Sequence, residues 1–194
     1  MQQMMTQSSK SEFVYLWCYC VKFSGGNFMS PTGHLAIGFA AKKYAPQIPV
    51  VVFLTAAYVI DLIHFVFLIL GMDKQDYDPW SHSLVMAVIW SASAGLITLL
   101  FSRKIRSGVV IGIVVFSHWI LDFIVWDDLP IFFDKTHQIG LGLYSKIGFT
   151  LTGMTFNSGT IIAACIEFSM LLIGLAVFVL YLRKSRREKK ILPS

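Results

Sequence analysis

Four long apolar stretches, residues 48–70, 81–101, 107–126 and 158–182, constrain this chain more than anything else in it. Each reaches the roughly 20 residues that an α-helix needs to cross about 30 Å of hydrocarbon. Lipid offers no hydrogen bonds to a bare backbone, so runs of this kind cross a bilayer as helices. The expected architecture is an all-α integral membrane protein with four transmembrane helices. Composition agrees: 56% of residues are hydrophobic and only 14% charged, against about 25% charged in soluble domains. Disorder is excluded, and an ordinary soluble globule is a poor fit.

A fifth segment, PTGHLAIGFAAKKYA at 31–45, has only a short apolar run before Lys42 and Lys43. Pro31 and Thr32 suit a helix start. It is too short to cross alone and reads as an N-terminal half-helix buried against the bundle. Residues 1–28 read as an N-terminal extension, with FVYLWCYCV too short for a span and Met29 an alternative start. Residues 29–182 then form one helical membrane domain, and 183–194 a basic tail.

The net charge of +5 is not a nucleic-acid signal. Six basic residues against Glu188 fall after position 182, and the preceding residues carry ten of each sign. That tail, Lys42–Lys43 and the Arg103–Arg106 loop all fall on one side of a four-span topology. The loop with Asp73, Asp76 and Asp78, and the long loop 127–157, fall on the other. The positive-inside rule places the C-terminus in the cytoplasm and the acidic loops outside. Cys18 and Cys20 form neither a redox pair nor a zinc ribbon, and Cys165 reads as apolar packing. Trp80 and Trp126 suit the membrane interface, while Trp90 and Trp119 read as packing. Gly33, Gly38, Gly95, Gly108 and Gly112 permit close helix approach.

Ionisable residues inside spans cost a few kcal/mol each on insertion scales and call for partners. Asp61, His64, His82, His118, Asp122 and Glu167 lie in the spans, with His34 in the half-helix. Asp61 and His64 are i,i+3 and His118 and Asp122 are i,i+4, so each pair shares a helical face. At 1.5 Å per residue, Asp61, His118 and Glu167 lie roughly 12–14 Å below the outer ends of their helices, and His64 and Asp122 roughly 6–9 Å below. His82 lies near the rim, and all seven can meet in the outer half of the bundle. Three readings fit: a metal site, a proton or ion pathway, and a structural network of buried pairs. Imidazole and carboxylate are ligands that zinc, manganese and iron accept. One or two divalent cations would offset most of the charge of three carboxylates, which favours metal. His137, Asp127, Asp128 and Asp134 read as loop residues, with Asp128 or Asp134 within reach of the mouth of the site.

The segments SPTGHLAIGFA, PWSHSL, SHWILDF, PIFFD and GLGLY resemble the bacterial inner-membrane family of membrane-bound metal-dependent hydrolases, which includes the LexA-regulated protein of enteric bacteria. The likeness covers residues 29–145 and extends to Glu167. It implies that His34, Asp61, His82, His118 and Asp122 bind the metal, with zinc first and manganese or iron as alternatives. The family often carries an acidic pair in the first span, where this chain has DLIH and His64. His64 and Glu167 are the expected extra ligand or general base. The implied activity is hydrolysis of a phosphoester or lipid-linked substrate by metal-activated water, at a site opening outward from the bacterial inner membrane. The alternatives are a small proton- or ion-coupled transporter or channel, and a membrane scaffold with a structural metal. The expected partners are the bilayer and a lipid-linked substrate, with no nucleic acid.

Overall fold

A computed structural model describes residues 32–74, 77–142, 148–151 and 154–191. The expected extension 1–28, Met29, Pro31 and the end of GLGLY lie outside the described residues. The half-helix is α1 (Thr32–Ala41), and the next three helices are α2 (Val50–Ile69), α3 (Leu84–Ser102) and α4 (Ile105–Val125). After two short hairpins comes α5 (Ser158–Ile191). The hairpins are β1 (Leu129–Pro130) with β2 (Gln138–Ile139), and β3 (Gly148–Leu151) with β4 (Met154–Asn157), both antiparallel. The chain is a helical integral membrane protein. Among the described residues, four helices are long and apolar enough to span, over Val50–Ile69, Leu84–Ser102, Ile105–Val125 and Ala164–Glu188.

The outward surface of these helices is apolar, with Phe101, Ile105, Leu100 and Ile113 among its most exposed side chains. In water such a surface would drive aggregation; in lipid it is the solvated face. The interior is small-residue and β-branched, built on Phe53, Ala57 and Ile60 of α2, Ala87 of α3, and Ile111, Val114 and Val115 of α4. Helices α3 and α4 join through a sharp turn at Arg103, whose φ of 53° is left-handed. They pack backbone to backbone. A Cβ added to Gly108 would lie 2.6 Å from the Gly95 carbonyl oxygen, and one added to Gly95 would lie 2.9 Å from that of Gly108.

Helix α1 covers about 15 Å, half of the hydrocarbon thickness. It packs against α5, α2 and α4. A Cβ on Gly174 of α5 would strike the Ala36 backbone at 2.4 Å, a close approach that the glycines singled out in the sequence did not include. The C-terminal end of α1 runs into the basic Lys42–Lys43 turn, and Gln47 bonds Ser107 at the start of α4. The N-terminus of α1 is therefore left at mid-depth, where it delivers His34.

One finding extends the sequence reading and another departs from it. The first turns of the basic tail do not leave the helix: α5 continues to Ile191, with exposed Lys184 and Glu188 paired at 3.9 Å. Cys165 does not pack inside but is exposed on α5. The runs around both are helical and amphipathic in neither case, so nothing in the pattern marked an inner face.

Candidate metal centre

Helix periodicity sets the floor of the site. His118 and Asp122, one turn apart on α4, are both buried. Their side chains meet, with His118 Nε2 3.2 Å from Asp122 Oδ2. Across the interface, Asp61 of α2 places Oδ1 3.3 Å from the same His118 nitrogen. His82 precedes the N-cap of α3, where Ser83 accepts a hydrogen bond from the Met86 amide. Its Nε2 lies 3.5 Å from Asp61 Oδ1 and 3.8 Å from Asp122 Oδ2. His34 of α1 closes the group, with Nε2 3.6 Å from Asp122 Oδ1 and its ring stacked on His118 at 4.0 Å. The structure thus brings together His34, Asp61, His82, His118 and Asp122.

The ring of His118 has only one arrangement as a neutral imidazole. Nδ1 lies 2.8 Å from the carbonyl oxygen of Ala57, an acceptor, so Nδ1 carries the proton and donates it. Nε2 is then a lone pair. It faces two carboxylates, and neither it nor Asp122 Oδ2 has a hydrogen-bond partner among the described residues. Three acceptors that converge on one point, two of them buried, call for a proton or a metal cation between them, and the set could hold a metal ion. The fit is geometric as well. Ligands about 2.1 Å from an ion at tetrahedral angles stand about 3.4 Å apart, and the contacts to His118 Nε2 are 3.2 and 3.3 Å. Two sets of donor atoms mutually within 4.8 Å share this histidine: His34–His118–Asp122 and Asp61–His82–His118. The donors are nitrogen and oxygen only, which suits zinc, manganese or iron. The Asp61 side chain is 46% exposed and marks the open side of the cluster.

His82 is held from behind. Its backbone carbonyl accepts the indole N–H of Trp119 at 2.9 Å, so Trp119 positions the site as well as packing. Its Nδ1 lies 2.8 Å from Asp78 Oδ2 and 2.8 Å from Ser81 Oγ. A carboxylate behind a ligating histidine fixes its tautomer and orientation. Asp78 was read from sequence as an exterior loop charge. The spacing D-x-x-x-H, the reverse of the H-x-x-x-D on α4, was the available signal.

His64 and Glu167 flank the five rather than join them. His64 Nδ1 lies against Ser81 Oγ at 3.1 Å, Asp73 Oδ2 at 3.4 Å and Asp78 Oδ2 at 3.8 Å. Glu167 is buried on α5 against the N-terminus of α1, its Cγ 3.3 Å from where a Gly33 Cβ would stand. Its carboxylate faces the Gly33 amide and Thr32 in a looser geometry than a full hydrogen bond. A negative charge there suits the positive end of a helix. His137 is a surface residue, as expected. It and Thr136 hydrogen-bond Asp134 and hold that carboxyl below its ordinary pKa.

No family model, curated protein or solved structure matches the chain. The resemblance to membrane-bound metal-dependent hydrolases stands on its motifs alone.

Proposed function

We propose that the five-residue cluster binds a divalent cation and that the protein is a membrane-embedded hydrolase of a phosphoester or lipid-linked substrate. The observation that carries this reading is the His118 Nε2 lone pair, directed by the Ala57 carbonyl into two carboxylates. A divalent ion at such a site lowers the pKa of bound water toward 7 and polarises a phosphoryl or carbonyl oxygen. His34, His82, His118 and Asp122 hold the buried side. Asp61 holds the exposed side, where a substrate oxygen arrives. Helices α3 and α4 wall off one flank, and the half-length of α1 leaves the site at a depth that a lipid headgroup or its linkage can reach.

Glu167 is the base in this reading. It is buried beside Gly33 at the start of α1, yet belongs to none of the ligand groups among the described residues. Zinc is the first choice of metal and the bacterial inner membrane the setting, with the C-terminus cytoplasmic and the cluster in the outer half. The shared end of Lys42–Lys43, Arg103–Arg106 and the α5 basic residues supports that orientation.

The test is elemental analysis of the purified full chain beside His118→Ala and Asp122→Ala, followed by turnover of phospholipid and lipid-phosphate substrates. One or more metals per chain in the wild type, with loss in both variants, is expected. Glu167→Gln should retain metal and lose about 10²–10⁴-fold in rate, the usual worth of a general base. A folded wild type that binds no metal would sink the reading. Ion flux into proteoliposomes without hydrolysis would replace it with a transporter.

A further inference from the structure

On the loop side of His82, around the ring nitrogen that the five-residue cluster does not use, stands a second group of donors. His64, Asp78 and His82 present ligand atoms within 4.8 Å of one another. Asp73 is not one of these three; it touches the group at His64, with Oδ2 3.4 Å from Nδ1. We propose that His64, Asp73 and Asp78 hold a second divalent cation, beside the first and separated from it by the ring of His82.

The strongest observation is Asp73. It is 2% exposed, although it lies in the loop after α2. Its Oδ1 accepts the Trp80 amide at 3.0 Å, while Oδ2 has no hydrogen-bond partner among the described residues and faces His64. A buried carboxylate oxygen in that state requires a positive neighbour. Asp78 is held as a ligand would be. When His82 Nε2 serves the inner cluster, its proton resides on Nδ1 and is donated to Asp78 Oδ2 at 2.8 Å. A carboxylate has about four lone-pair sites, so this bond leaves room for a cation. Ser81 Oγ lies 2.8 Å from His82 Nδ1, and its hydroxyl can donate to the Asp78 carbonyl oxygen at 3.4 Å, which leaves the His64 Nδ1 lone pair to the cation.

Charge closes the assignment. Asp61 and Asp122 give the inner group −2, and Asp73 and Asp78 give the outer group −2. One divalent cation in each group neutralises both. The side chain of Asp78 is 18% exposed, which gives the outer cation a route to solvent. The class of ligand is the same as inside, a borderline divalent ion with mixed nitrogen and oxygen donors. The inference does not require that the protein be a hydrolase.

The full chain in detergent is dialysed against zinc and then against zinc-free buffer, and zinc per chain is measured. The wild type should hold two. Asp73→Asn and His64→Gln should each hold one, and His118→Gln should lose the inner ion while keeping the outer. His137→Ala should leave the count at two, which removes the exposed His137–Asp134 pair as a source. A wild type holding one zinc overturns the second site whatever the variants do, including any that fail to fold. If that single zinc leaves with His118→Gln, the inner site stands. Two zincs that both survive Asp73→Asn and His64→Gln also overturn it. Two zincs with the expected losses and no hydrolysis on any substrate support the second site and count against the hydrolytic reading alone.

Discussion

At the scale of single residues, the cluster is a matter of tautomers and of what stands behind each ring. His118 is oriented by the Ala57 carbonyl, and His82 by Asp78, Ser81 and the indole of Trp119. Trp119→Phe keeps the stacked ring but removes the N–H that the His82 carbonyl accepts. A buried carbonyl left unpaired costs about 1–3 kcal/mol, and the loosened His82 backbone should weaken metal binding as well. Thermal unfolding in micelles and chelator competition would check both. Unchanged zinc affinity would mean that Trp119 only packs. His34, Asp61, His82, His118 and Asp122 could be grouped from sequence because each sits on or just before a helix, where spacing fixes face and depth. Asp73 could not, and Asp78 only through its i,i+4 spacing to His82. Both lie in a loop, and only the fold reveals that the loop turns back over His64.

At the scale of elements, the apolar runs located the spans to within a few residues, because hydrocarbon thickness sets their length. The hairpins were not legible: a two-residue strand such as Leu129–Pro130 shows no alternation. The end of α5 was not legible for a related reason. Charge marks where a helix leaves lipid but does not end the helix, and i,i+4 pairs such as Lys184–Glu188 favour its continuing. The contact between α3 and α4 was legible in part, since glycines in apolar helices allow backbones to approach. Gly108→Val would set a side chain 2.6 Å from the Gly95 carbonyl, a backbone atom that cannot rotate aside. The helices must separate, and overpacking of this kind costs about 1–3 kcal/mol. A change to the same residue at exposed Leu100, Leu100→Val, adds no bulk to a helix contact and should cost much less. The pair can be ranked by unfolding in SDS from mild detergent, and equal midpoints would show that the α3–α4 contact is not tight in the membrane.

At the scale of the whole molecule, half-helix α1 and the basic clusters answer the same question, namely which end of the bundle is which. The C-terminal end of α1 and the start of α4 are joined by the Gln47–Ser107 bond. Lys42 and Lys43 therefore share an end with Arg103, Lys104 and Arg106, although about sixty residues of sequence separate them. The tail of α5 reaches that end too if α2 to α5 alternate across the bilayer. Orientation is set mainly by Lys and Arg in short loops near span ends. The three-residue loop cluster is the most economical to remove, since Arg103, Lys104 and Arg106 bind no part of the site. A C-terminal reporter active only in the cytoplasm should signal in the wild type. It should stay on with Arg103→Ala, Lys104→Ala and Arg106→Ala combined, because Lys42–Lys43 and the tail still hold. Adding Lys42→Ala and Lys43→Ala should give a mixed population. If the reporter is silent in the wild type, the C-terminus is outside, and the cluster then opens toward the cytoplasm. The metal geometry would be untouched by that result, but the substrate would have to come from the inner leaflet.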